Sequence, residues 1–339
     1  MKRFIKRATV SLFLTAGAVA ALVAFGTAKP PATLGVVTKP FASINDAKLP
    51  SLQRYRARDG AQLTFREYLA GARQVAVLIH GSSGSSNDMQ PLALALQAAG
   101  ATVYVPDLRG HGGNVPHGDI AYVGQLEDDL ADFVDRIKPG LPGAEWTLLG
   151  FSSGGGFALR VAADDQLGKA FERYILVAPY LKYNAPSVRN TARPAEGSAG
   201  GGSFTLADWA AAYTGRIIGL TTLNFVGVHA WDGLPVISFA VPENLSSVTR
   251  NYSWRLLQNF GAHANYLSDI RAISRPTSVY VGAADELLVP ENLRSEFQSQ
   301  RSDVPVTVVP AMGHSDMITR PQAIARIAAE FLCREASHC

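Results

Sequence analysis

Short all-apolar runs that alternate with amphipathic stretches constrain this chain more than any other feature. Residues 75–79 read Val-Ala-Val-Leu-Ile, and comparable runs stand at 102–105, 146–149, 174–178, 277–281 and 306–309. Between them, stretches at 89–99, 122–137, 155–163, 291–300 and 321–332 carry apolar residues at helical spacing, and Gly100 or Pro139-Gly140 stops the first two. A strand with no polar alternation must be covered on both faces, and helices of this length between successive strands supply the cover. The pattern therefore predicts an α/β domain built on a mostly parallel sheet. A hairpin opens it, with residues 55–58 and 62–68 flanking Asp59-Gly60, a dipeptide favoured in tight turns.

The alternation fails between residues 181 and 272, where a Gly/Ser-rich stretch, several aromatics and no clean strand run are found. An insertion of this size between sheet strands is expected to form a cap over the C-terminal edge of the sheet, where open α/β sheets bind ligands. The organisation predicted is a core of residues 51–180, a cap of 181–272 and a second part of the core at 273–339.

The amino end is different in kind. Lys2, Arg3, Lys6 and Arg7 precede an apolar run from Ala8 to Ala28 that holds no charge. This is the layout of an export signal, and the run also approaches the ~20 residues that span a bilayer. Residues 1–28 are thus expected to be a signal peptide or an N-terminal membrane anchor. Residues 29–50, rich in Pro, Ala, Thr and Lys, read as a linker, and the body is expected outside the cytoplasm. The formal charge of +3 falls to −1 without those four basic residues, so no nucleic-acid partner is indicated. Cys333 and Cys339 are the two cysteines and sit at the carboxyl end. In an oxidising compartment they could close a small loop, and neither lies in a nucleophile motif.

Gly150-Phe151-Ser152-Ser153-Gly154 fits the G-x-S-x-G nucleophile elbow, and it does so directly after the apolar run 146–149 and before a helix. A serine hydroxyl needs a neighbouring base, and the base needs a third group to fix its tautomer. His314 is the expected base, because Gly313-His314 lies in the loop between the last strand and the last helix, whereas His80 and His111 precede the serine in a motif whose partners follow it as acid and then histidine. Asp285, in the loop after the 277–281 run, is the expected acid; Glu286 stays open beside it, and Asp316 is too near His314 in sequence. An oxyanion needs backbone N–H donors in place. Ser153, following the nucleophile, and Ser82, in the loop His80-Gly81-Ser82-Ser83-Gly84, are the expected pair, with Ser83 the near alternative to Ser82.

These motifs, together with Asp107-Leu108-Arg109-Gly110-His111-Gly112, resemble those of the α/β-hydrolase superfamily, in particular its branch of lysophospholipases, monoacylglycerol lipases and serine aminopeptidases. The resemblance implies an α/β-hydrolase fold, a Ser-His-Asp hydrolase acting through an acyl-enzyme, and an architectural role for Asp107 and His111. It also implies a carboxylic ester of a lipid-like or small acyl group as substrate, with aminopeptidase, thioesterase and acyltransferase chemistry as alternatives on the same residues. An aminopeptidase would need a cap carboxylate for the substrate ammonium, for which Glu196, Asp208, Asp232 and Glu243 are candidates. A catalytically silent scaffold is disfavoured, since silent members lose a triad residue and all three stand here. Ser-Ser-Gly after His80-Gly81 departs from the lipase pattern. An apolar cap bearing Trp209, Tyr213, Phe225, Trp231 and Phe239 fits a greasy acyl group. No cofactor is implied, and no His-Glu-x-x-His or clustered Cys/His spacing indicates a metal.

Overall fold

The apolar runs form a twisted sheet with helices on both faces. A computed structural model describes residues 2–44, 46–190, 193–194, 203–242 and 247–332. The main sheet holds β1 (Gln53–Arg56), β2 (Gln62–Tyr68), β3 (Gly71–Ile79), β4 (Ala101–Pro106), β5 (Glu145–Phe151), β6 (Arg173–Val177), β7 (Thr277–Gly282) and β8 (Val306–Val309). Their spatial order is β1-β2-β4-β3-β5-β6-β7-β8. The opening hairpin and its join to β4 are antiparallel, and every pairing from β4 through β8 is parallel. Every residue of β4 and of β7 is buried, as the lack of alternation requires.

The principal helices are α1 (Lys2–Phe25), α2 (Gln90–Ala98), α3 (Gln125–Ile137), α4 (Ser153–Ala162), α5 (Thr214–Phe225), α6 (Pro290–Gln300) and α7 (Pro321–Leu332). In α3 the residues Leu126, Leu130, Phe133 and Val134 recur at helical spacing and are buried against the sheet. Phe133 is fully buried, and it meets Tyr55 and Phe65 edge-on at ring separations of 5.0 and 5.2 Å. The loops that follow β3, β5, β7 and β8 all emerge at the same carboxyl edge, which brings residues 80, 152, 285 and 314 to one place.

Two sequence readings need revision. The inserted segment holds strands the sequence hid: Ala210–Ala212, Pro235–Phe239 and Asn251–Ser253 form a small antiparallel sheet. Two of them have three residues, too few to show a period of two. Residues 29–50 were expected to be a linker, yet Leu34 N–H donates to Ala240 O at 2.9 Å, Ser315 Oγ donates to Val37 O at 3.1 Å, and Val37 belongs to the main core. Composition hid this because the contacts lie far away in sequence. No helix among the described residues is long and apolar enough to cross a membrane, residues 1–28 having been expected to form a signal peptide or an N-terminal anchor. Helix α1 ends at Phe25. Its last turn meets the insertion: Val23 clusters with Leu220, Val236 and Trp254, and Arg216 Nε donates to Val23 O at 2.9 Å. Cys333 and Cys339 lie outside the described residues, and so do Glu196 and Glu243.

Truncating a fully buried aromatic that bridges α3 and the hairpin leaves a cavity that rigid neighbours cannot close. Phe133→Ala should lower unfolding free energy by about 3–5 kcal/mol, read from the shift of a urea midpoint at unchanged slope.

Candidate active site

Ser152 sits on the turn from β5 into α4 with φ 54° and ψ −121°, a left-handed region that a non-glycine residue enters only where its surroundings impose it. Two glycines make this possible. A Cβ on Gly150 would lie 2.0 Å from Gly154 O, and a Cβ on Gly154 would lie 2.3 Å from His80 O. The turn is held from outside as well: Ser152 N–H donates to Val177 O at 2.9 Å, and Ser152 O accepts the N–H of Tyr180 and of Gly156 at 2.9 and 3.0 Å.

The structure brings Ser152, His314 and Asp285 into one line. His314 Nε2 lies 2.9 Å from Ser152 Oγ, and His314 Nδ1 lies 2.9 Å from Asp285 Oδ2. The other oxygen of Asp285 accepts the N–H groups of Leu287 and Leu288 at 2.9 and 2.8 Å. Glu286, which the sequence left open beside Asp285, is used differently: its Oε2 accepts the backbone N–H of His314 at 2.7 Å. Asp316 binds Gly313 N–H at 3.0 Å and Arg320. Burial of His314 by itself would lower its pKa, but the charge and hydrogen bond of Asp285, joined by Glu286, hold it above the ordinary imidazole value of 6.5.

The two expected oxyanion donors come from different loops, Ser153 directly after Ser152 and Ser82 from the turn after β3. Ser153 opens α4, so its N–H has no partner in the helix and stands at the positive end of the helix dipole. Ser82 touches it through a short contact between the two hydroxyls. The alternative, Ser83, already gives its N–H to Tyr252 Oη at 2.6 Å.

A cavity of about 530 Å³ opens at Ser152 and His314. Its apolar wall includes Phe41, Ile44, Trp209, Val241 and Leu287. Trp209 is thus the cap aromatic that faces it, whereas Tyr213 and Phe239 are buried elsewhere in the insertion and Phe225 and Trp231 are exposed. The contribution of residues 37–44 to this wall carried no sequence signal. Of the cap carboxylates, Asp208 caps its own helical turn through Thr205, and Asp232 binds Asn224 and His229. Among the described residues, Asp88 is the acidic side chain lining the cavity, which sequence reading missed. Burial, reinforced by Asp107 and opposed by the Ser85 N–H, pushes its pKa up to about 7. No group of three or more His, Cys, Asp or Glu side chains among the described residues could hold a metal ion.

Asp107 and His111 serve the frame. Asp107 accepts from Ser86 N–H, Thr64 Oγ1 and Gly113 N–H at 2.6, 2.8 and 3.0 Å, joining β2 to two loops.

Residues 70–209 match the family model described as serine aminopeptidase, S33. A soluble variant of monoglyceride lipase from Saccharomyces cerevisiae, solved with a substrate analogue, superposes with a TM-score of 0.59 at 17% identity, covering 84% of this chain and 94% of its own. Monoacylglycerol lipase from Paleococcus ferrophilus superposes with a TM-score of 0.57 at 18% identity, covering 80% and 98%. A membrane phospholipase A described as a bacterial virulence factor does so with a TM-score of 0.55 at 19% identity, covering 98% of both chains. No curated protein matches the chain.

Two outcomes follow. If His314 must be neutral to accept a proton, reaction at Ser152 falls as the pH drops through its raised pKa. The rate of fluorophosphonate labelling against pH should therefore show an acid limb with its midpoint above 6.5; a midpoint below that value would contradict the influence of Asp285. For Asp88, a folded pKa of about 7 against an ordinary 3.8 means that the folded state binds the proton more tightly, so this group's contribution to stability falls as pH rises between the two. Asp88→Asn should accordingly gain thermal midpoint relative to wild type between pH 5 and pH 8.

Proposed function

We propose that this chain, which has the α/β-hydrolase fold, is a serine hydrolase cleaving carboxylic esters of small or lipid-like acyl groups, with Ser152 as nucleophile, His314 as base and Asp285 as the acid that orients the histidine. The observation that carries this reading is the unbroken hydrogen-bonded line from Asp285 through His314 to Ser152 Oγ, on a turn whose strain lifts the hydroxyl off the sheet.

The steps follow from the geometry. As Ser152 Oγ attacks the ester carbonyl, its proton passes to His314 Nε2. The imidazolium is stabilised by Asp285, itself fixed by two backbone N–H groups. Negative charge gathers on the former carbonyl oxygen, and the N–H groups of Ser82 and Ser153 receive it. His314 then returns the proton to the leaving alkoxide, which departs as the alcohol. Water attacks the acyl-enzyme by the same route and releases the acid.

The apolar wall favours an acyl chain in the cavity. Monoglyceride lipases among the structural neighbours support an ester of this kind. The aminopeptidase alternative gains nothing from Asp208 or Asp232, whose carboxylates are occupied elsewhere. Export is proposed on the basic, then apolar amino end of the sequence.

Labelling by a fluorophosphonate probe, which requires an activated serine, tests the reading first. Wild type should label, and Ser152→Ala and His314→Ala should not. Asp285→Asn should lower kcat on a p-nitrophenyl ester by roughly 10³–10⁴-fold, since it leaves the imidazole in the wrong tautomer. A folded wild type that neither labels nor hydrolyses esters of any chain length would refute the assignment.

A further inference from the structure

Ser83 is a second residue of this site in the left-handed region, with φ 66°. Strain of that kind persists only where neighbours impose it. Here the neighbours come from the inserted segment, more than 160 residues away. Ser83 N–H donates to Tyr252 Oη at 2.6 Å, Thr249 N–H donates to Ser83 O at 2.8 Å, and Ser83 Oγ donates to Thr249 O in a short contact. Thr249 is in turn tied to the core by its hydroxyl, which donates to Gly110 O at 2.9 Å.

The tyrosine hydroxyl has one proton, and His111 decides where it points. His111 Nδ1 lies 3.1 Å from Arg109 O, so that nitrogen is the donor and Nε2 is left as an acceptor, 2.7 Å from Tyr252 Oη. Tyr252 therefore donates to His111 and keeps a lone pair for the Ser83 N–H. Tyr252 and His111 are buried and packed against Phe260 at ring separations of 6.1 and 5.1 Å, which leaves little freedom for either ring.

We propose that Tyr252 is a positioning residue for the chemistry at Ser152: its hydroxyl, oriented by His111, pins Ser83 and so holds the preceding N–H, that of Ser82, beside the nucleophile as an oxyanion donor. The inference rests on the ester-hydrolase reading above and adds to it that the insertion completes the catalytic apparatus as well as covering it. Since Ser83 cannot give its own N–H to both Tyr252 and an oxyanion, the same bond selects Ser82 over Ser83 as the donor.

The test is Tyr252→Phe in the full chain, which removes one oxygen and keeps the ring. With a p-nitrophenyl ester of short chain length, kcat per active site, counted by fluorophosphonate titration, should fall about 10- to 100-fold, the range expected when a preorganised donor is displaced rather than deleted. KM should stay within about twofold, and the acid limb set by His314 should not move. His111→Phe, which leaves the hydroxyl but removes its acceptor, should lower kcat several-fold in the same pattern and serves if Tyr252→Phe does not fold. Unchanged turnover per titrated site in a folded variant overturns the proposal, and so does an effect confined to KM. A variant with fewer titratable sites but normal turnover per site would show a structural role only, which also overturns it. Failure of wild type itself to label would instead count against the hydrolase reading.

Discussion

Everything chemical in this protein depends on a backbone turn that only two glycines permit. Ser152 is forced to a positive φ by the packing of β5 against the start of α4, where the atoms of Gly154 and His80 leave no room for a Cβ at positions 150 and 154. The strain is sustained by the buried sheet around it: Val177 on β6 and Tyr180 beyond it take the peptide groups of Ser152. Once that turn is fixed, the other loops need only reach the same edge of a parallel sheet, and the topology delivers them there. Rigidity at the turn is what allows the hydroxyl of Ser152 to meet a histidine 162 residues away at hydrogen-bond distance.

The residues legible in the sequence are those whose signal is local. Gly150, Ser152 and Gly154 announce themselves by spacing after an apolar run, and Asp285 and His314 by their places after the last two strands. The core strands were legible because burial on both faces removes polar residues altogether. What could not be read is pairwise and distant. Nothing near Ser83 in sequence foretells Tyr252, nothing near Val37 foretells Ser315, and Asp88 gives no sign of facing the cavity. Composition also misleads for residues 29–50, because a Pro- and Ala-rich stretch looks the same whether it wanders in solvent or lies against a protein surface. The split between Asp285 and Glu286 was of the same sort, decided by which oxygen reaches the ring and which the backbone.

Two kinds of acid surround His314, and they act through different parts of it. Asp285 holds the ring and Glu286 holds the main chain, so orientation and position of the imidazole are set separately. Placing a buried and a half-buried carboxyl group beside one imidazole has an electrostatic consequence visible in both directions: His314 is raised above 6.5, and Glu286 is raised above its ordinary value by desolvation foremost, with Asp285 adding to it. The cavity side of the site is less charged, since Asp88 is pushed up to about 7 and presents a carboxyl that is only partly ionised near neutrality.

The hydrogen bond from Ser315 to Val37 ties the first ordered turns after α1 to the loop that bears the histidine, across 278 positions of sequence. A chain still being made has the serine long before it has either the histidine or the far partner of Val37. Contacts this distant form late, because the entropy of closing the intervening loop must be met first. Ser152, His314 and the wall formed by residues 37–44 therefore come together only once both of these long loops are closed, and a chain that stops short of residue 314 holds the serine without its histidine.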